Sequence, residues 1–112
     1  MKSLKTWGGR NEFEYDGSIM EGTTIYYGSS FKIPISSEKY SQLLNHFRGK
    51  SVNIGTSRTD APVGSVGEWL QDNITRTAIA SYVGAILIHE GFAIKNGSTI
   101  EFKEIYPTDI SK

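Results

Sequence analysis

The sequence predicts an α+β domain, and three observations carry that prediction. Phe13 and Tyr15 alternate with Glu12, Glu14 and Asp16, and Phe31, Ile33 and Ile35 alternate again further on, the period of half-buried strands. Tyr40, Leu43, Leu44 and Phe47 fall at i, i+3, i+4 and i+7, the period of a helix with one buried face. Asn96-Gly97 separates the runs 92–95 and 98–102, the strongest short-range hairpin signal in the chain.

Each element has a local reason. Asp16-Gly17-Ser18 and Gly28-Ser29-Ser30 break the first third into an antiparallel meander, with Trp7 either packed on it or frayed. Pro34 removes a ladder donor, which puts its strand at an edge or an end. Ser36 and Ser37 are good N-caps for the first helix, and Gly49 suits the left-handed position that closes it. Residues 51–54 form one short strand, and 55–64 a polar loop. Ser65-Val66-Gly67-Glu68 is a capping box that opens the second helix. Thr75 then caps a long third helix, and Gly91-Phe92 is a Schellman-type stop. The boundaries expected are helix 37–48, strand 51–55, helix 65–72, helix 75–90 and hairpin 92–103.

Composition narrows the function. At 112 residues the chain makes a single domain, β-rich over 1–36 and with the helix, strand, helix, helix and hairpin in a second half over 37–105. Twelve basic and twelve acidic residues cancel, so no bulk charge selects a polyanion or a membrane surface. The absence of cysteine excludes disulfides, thiolate metal sites and cysteine nucleophiles. His46 and His89 are single, with no partner at metal-ligand spacing, and Gly64-Ser65-Val66-Gly67 has the wrong spacing for a nucleophile elbow. The residues 1–17 lack the apolar core of a signal peptide, and the run 78–88 is too short to span a bilayer. The expectation is a cytoplasmic, non-catalytic protein with no metal, no cofactor and no membrane partner.

From Ser37 to Lys103 the order helix, strand, helix, helix and two-stranded wing resembles the winged-helix superfamily. The best-matching residues are Val66, Trp69, Leu70, Ile74, Ile79, Val83, Ile86 and Leu87, with Glu90-Gly91-Phe92 resembling the close of a recognition helix. The wording TAIASYVGAILIHEGFAI is also similar to small proteins carried on bacterial integron cassettes, which implies no defined activity. The winged-helix resemblance implies duplex DNA as partner: the third helix enters the major groove by its N-terminal residues, and the wing touches the backbone. Carried onto this chain, Thr75, Arg76, Thr77 and Ser81 would face DNA, with Lys95 and Asn96 at the wing. Lys39, Arg48, Lys50 and Arg58 add four bases without an acid between 39 and 59, read either as a phosphate track or as a solvated face.

The third helix also departs from that pattern. Opposite its core stripe it offers small or apolar residues, and Arg76 is its only basic one. A helix apolar nearly all round is usually covered on both sides. The face Ser81, Gly84, Ala85 and Ile88 is therefore read as the seam of a homodimer, or as close packing within the chain, the seam being preferred. A ligand pocket lined by tyrosines, between meander and helices, is the third reading.

Overall fold

The computed structural model describes residues 1–108. Its first part is a four-stranded antiparallel sheet in the order β1-β2-β3-β4, with β1 Lys2–Lys5, β2 Glu12–Ser18, β3 Gly22–Tyr27 and β4 Phe31–Ile35. Tyr15 pairs with Ile25, and Ile25 with Ile33, so one face carries Phe13, Tyr15, Ile25 and Ile35 into the core. The other face carries Glu12, Glu14 and Lys32, all exposed. Pro34 lies on the edge strand β4, where its missing N–H costs no ladder bond. Strand β1 has no counterpart among the sequence expectations. Its single apolar residue, Leu4, gives no period to read.

The second part has the helix-strand-helix-helix-hairpin arrangement. Its elements are α1 Ser37–Phe47, β5 Ser51–Asn53, α2 Val66–Asn73, α3 Ala80–His89, β6 Ala93–Asn96 and β7 Thr99–Phe102. The hairpin and β5 form a three-stranded sheet in the order β5-β7-β6. Ser36 caps α1, its hydroxyl accepting from the Lys39 N–H. Ser65 caps α2 in the same way, while the Glu68 carboxylate reaches one residue further back and accepts from the Gly64 N–H at 2.7 Å. Helix α3 stops in a Schellman motif: Phe92 N–H donates to Leu87 and Gly91 N–H to Ile88, with Gly91 at φ +87°. The hairpin turn is Gly97-Ser98 rather than Asn96-Gly97. Asn96 still pairs with Thr99, and Gly97 at φ +64° takes the first turn position, as a type II′ turn needs.

The main correction concerns the third helix, which begins at Ala80 and not at Thr75. Ile74 and Thr75 N–H groups both return to the Leu70 carbonyl and finish α2. Thr75 does not cap α3; its hydroxyl accepts from the Thr77 N–H two residues on. Such local side-chain bonds compete with helix formation. The chain then passes through 75–78 in an irregular path that buries Ile79 and Ala80, each 1% exposed. Ile79 stands at the N-cap without a side-chain bond.

Side chains of both parts meet in one core, where Phe13, Ile25 and Leu43 share a cluster with Leu70, Val83 and Ile100. Tyr15 and Tyr40 fill the space between meander and helices, and their hydroxyls bond Glu90 and Thr23 inside it. Tyr15 and Tyr40 are therefore part of the core, while Tyr27 and Tyr82 line an open hollow between the meander and α3, with Asn11, Glu12 and Phe31. No described helix is long and apolar enough to cross a membrane.

Candidate nucleic-acid interface

The site begins with the way the chain leaves α2. Gln71, on the last turn of that helix, donates from one side-chain nitrogen to two backbone carbonyls, Arg58 at 2.9 Å and Arg76 at 3.3 Å. This amide pins the 55–64 loop against the α2–α3 connection. Both arginines are exposed, as is Thr77, and Thr75 is half-buried. The Ser57 hydroxyl accepts from Asp60 N–H at 3.0 Å and steadies the loop from its other side. Arg58, Thr75, Arg76 and Thr77, four of the expected DNA-contacting residues, are thus brought to one corner.

The remaining candidates are dispersed. Lys39 lines a shallow hollow beside Gly22 and Pro34. Lys50 is exposed just past α1, with its backbone bonded to Phe47 and Phe102. Arg48 donates to the Glu104 carbonyl at 2.9 Å and lies over the Tyr106 ring at 4.5 Å. It fastens the segment after β7 to α1, so its guanidinium is engaged within the chain. Lys95 donates to the Trp7 carbonyl and sits 5.0 Å above the Trp7 ring. Asn96 bonds Glu101 at 3.1 Å. The two hairpin residues expected at a DNA contact are therefore occupied by intramolecular contacts. Ser81 is half-buried, and its carbonyl accepts from Trp7 N–H.

Trp7 explains the small-residue face of α3. Its indole N–H donates to Gly97 at 3.1 Å and its ring covers Gly84. A Cβ at Gly84 would lie 2.8 Å from the Trp7 ring and 2.7 Å from the Ile54 methyl. Gly84 is buried against its own chain, which removes it from the expected seam. Ser81, Ala85 and Ile88 remain half-exposed and share an outer stripe with His89, while the Tyr82 ring packs on Phe13 and Tyr27 of the meander. No Lys or Arg stands on that stripe.

Among the described residues the ion pair found joins the N-terminal ammonium to Asp16, and neither Arg58 nor Arg76 has a carboxylate within salt-bridge distance. No group of three metal-ligating side chains converges among the described residues. Burial raises the phenol pKa values of Tyr15 and Tyr40, and the Glu90 carboxylate beside Tyr15 adds to it.

Gln71 and Ser57 were not among the expected site residues. A signal for Ser57 was nevertheless present, because Ser57-Arg58-Thr59 and Thr75-Arg76-Thr77 repeat one pattern of hydroxyl, guanidinium and hydroxyl, whereas nothing in the sequence marks Gln71. Only the fold brings the two copies side by side. Neither a protein-family model nor a curated protein nor a solved structure matches this chain.

Proposed function

We propose that this protein is a non-catalytic binding domain for duplex DNA. The observation that carries the reading is the exposed α2–α3 connection. It holds Arg76 and Thr77 outward, in a half of the molecule whose element order resembles a winged helix. The mode differs from insertion of the third helix. The start of α3 is buried and its outer stripe has no cation, so base reading by that helix has little chemistry behind it. Contact falls instead to guanidinium and hydroxyl groups of the connecting segment on backbone phosphates, which position a protein without reading sequence. A cytoplasmic location goes with this reading, supported by the cysteine-free composition.

Anisotropy of a labelled duplex across a salt series tests it. Few phosphates are engaged, so log affinity should fall with log salt at a slope of about −2 to −3. Arg76→Ala should reduce that slope by about one, whatever the duplex sequence. A protein that binds no duplex at low salt would remove the proposal.

A second reading has its own observation. The outer stripe of α3, Ser81, Ala85 and Ile88, is half-exposed and uncharged. Such a stripe can meet a copy of itself across a two-fold axis without repulsion. A homodimer formed there leaves the arginine corner on a different part of the surface.

A further inference from the structure

We propose that Ser57-Arg58-Thr59 and Thr75-Arg76-Thr77 form a two-armed clamp for phosphoryl groups, with Gln71 as its positioning residue. The clamp rests on the DNA reading only for the molecule that brings the phosphates. Its chemistry is local.

Two arginines are held as neighbours by one amide nitrogen that donates to both of their carbonyls. Both side chains are exposed, and no carboxylate of a described residue lies within ion-pair distance of either, which leaves both guanidinium groups to an incoming anion. The hydroxyls point the same way chemically. Ser57 Oγ accepts from Asp60 N–H, and Thr75 Oγ1 accepts from Thr77 N–H. A hydroxyl whose oxygen accepts from the backbone keeps its own proton for another acceptor. The corner therefore offers donors from both arms, and guanidinium with hydroxyl is the donor set that suits a phosphate oxygen. One arm comes from the loop ahead of α2 and the other from the connection behind it. A ligand with two phosphoryl groups, as in a polynucleotide backbone or a diphosphate, has one group for each arm.

The test is a titration of the full-length protein followed by amide NMR, with inorganic pyrophosphate in one arm and a short duplex in the other. Pyrophosphate should shift residues 57–59, 71 and 75–77 and leave the meander unmoved. Arg58→Ala and Arg76→Ala should each weaken pyrophosphate by about fivefold or more. Both arginines are exposed, so the melting temperature should stay at its parent value. The two effects should be coupled in the parent background and become additive in Gln71→Ala, an outcome that a purely structural role for Gln71 does not produce. Pyrophosphate binding at this corner without duplex binding would keep the clamp and remove the DNA reading. Duplex binding that needs Arg76 but ignores Arg58 and Gln71, with no pyrophosphate shifts, would overturn the clamp and keep the DNA reading.

Discussion

Two glycines look alike in the sequence and differ in what surrounds them. A Cβ on Gly67 would lie 1.7 Å from the carbonyl oxygen of Gly55, and backbone held by a hydrogen bond from Gly67 N–H to Ile54 has nowhere to move. A Cβ on Gly84 would press on the Ile54 methyl and the Trp7 ring, side chains able to shift by some tenths of an ångström. Gly67→Ala should therefore prevent stable folding, whereas Gly84→Ala should cost about 1–3 kcal/mol, the usual range for overpacking. Urea unfolding of both variants checks the order. Gly84 also marks a limit of sequence reading. The small face of the third helix is legible in Ser81, Gly84 and Ala85, but what covers it is not. Trp7 arrives from the far end of the chain, and no local pattern announces that contact.

At the scale of elements, Glu90 joins the two parts of the fold. One carboxylate oxygen accepts from the Tyr15 hydroxyl at 2.7 Å and the other from Ile19 N–H at 3.0 Å, so the end of α3 holds the β2–β3 turn. Burial, with the Glu90 charge next to it, raises the Tyr15 pKa, and Tyr40 is raised chiefly by burial. A folded pKa above the unfolded value of about 10 means that the native state keeps its protons longer. The stabilisation is complete below about pH 10 and is lost as pH rises toward the folded values. Thermal stability should accordingly be insensitive to these tyrosines near neutrality and fall steeply above about pH 10. Tyr15→Phe should cost about 1–2 kcal/mol at neutral pH and make the alkaline fall shallower, as melting curves from pH 7 to 11 would register. The order of elements was readable because capping serines, the Gly91-Phe92 stop and the alternating strands are all local signals. The start of α3 was not. Thr75 has the chemistry of an N-cap, and only the burial of Ile79 and Ala80 decides that the helix waits until residue 80.

For the whole molecule, what matters is which surface meets a partner, and the two candidate surfaces are separable. The corner presents Arg58 and Arg76, with Asp60 bonded into the same loop, and belongs to loops, whereas the α3 stripe has no Lys or Arg and belongs to a helix packed on the core. Half of the corner was legible in advance, because Arg76 and its threonines stand out beside an apolar helix. Arg58 was grouped instead with Lys39, Arg48 and Lys50 by sequence proximity, and the fold parts it from all three, leaving Arg48 and Lys50 together at the end of α1. Proximity in sequence is a poor guide where a helix, a strand and a loop intervene. The stripe makes a prediction independent of nucleic acid. If two copies pair through it about a two-fold axis, equivalent positions lie near one another, so Ala85→Arg sets two like charges close together at the seam. Sedimentation equilibrium should then show a dimer for the parent and a monomer for Ala85→Arg. Arg76→Ala, altered only in the corner, should stay dimeric while its duplex affinity drops. A parent that sediments as a monomer at every concentration would reject the seam without touching the corner. A dimer would carry two copies of the proposed phosphate-binding corner, and simultaneous engagement of both on one duplex would raise apparent affinity with no new contact. In that case Ala85→Arg should weaken duplex binding although position 85 touches no phosphate.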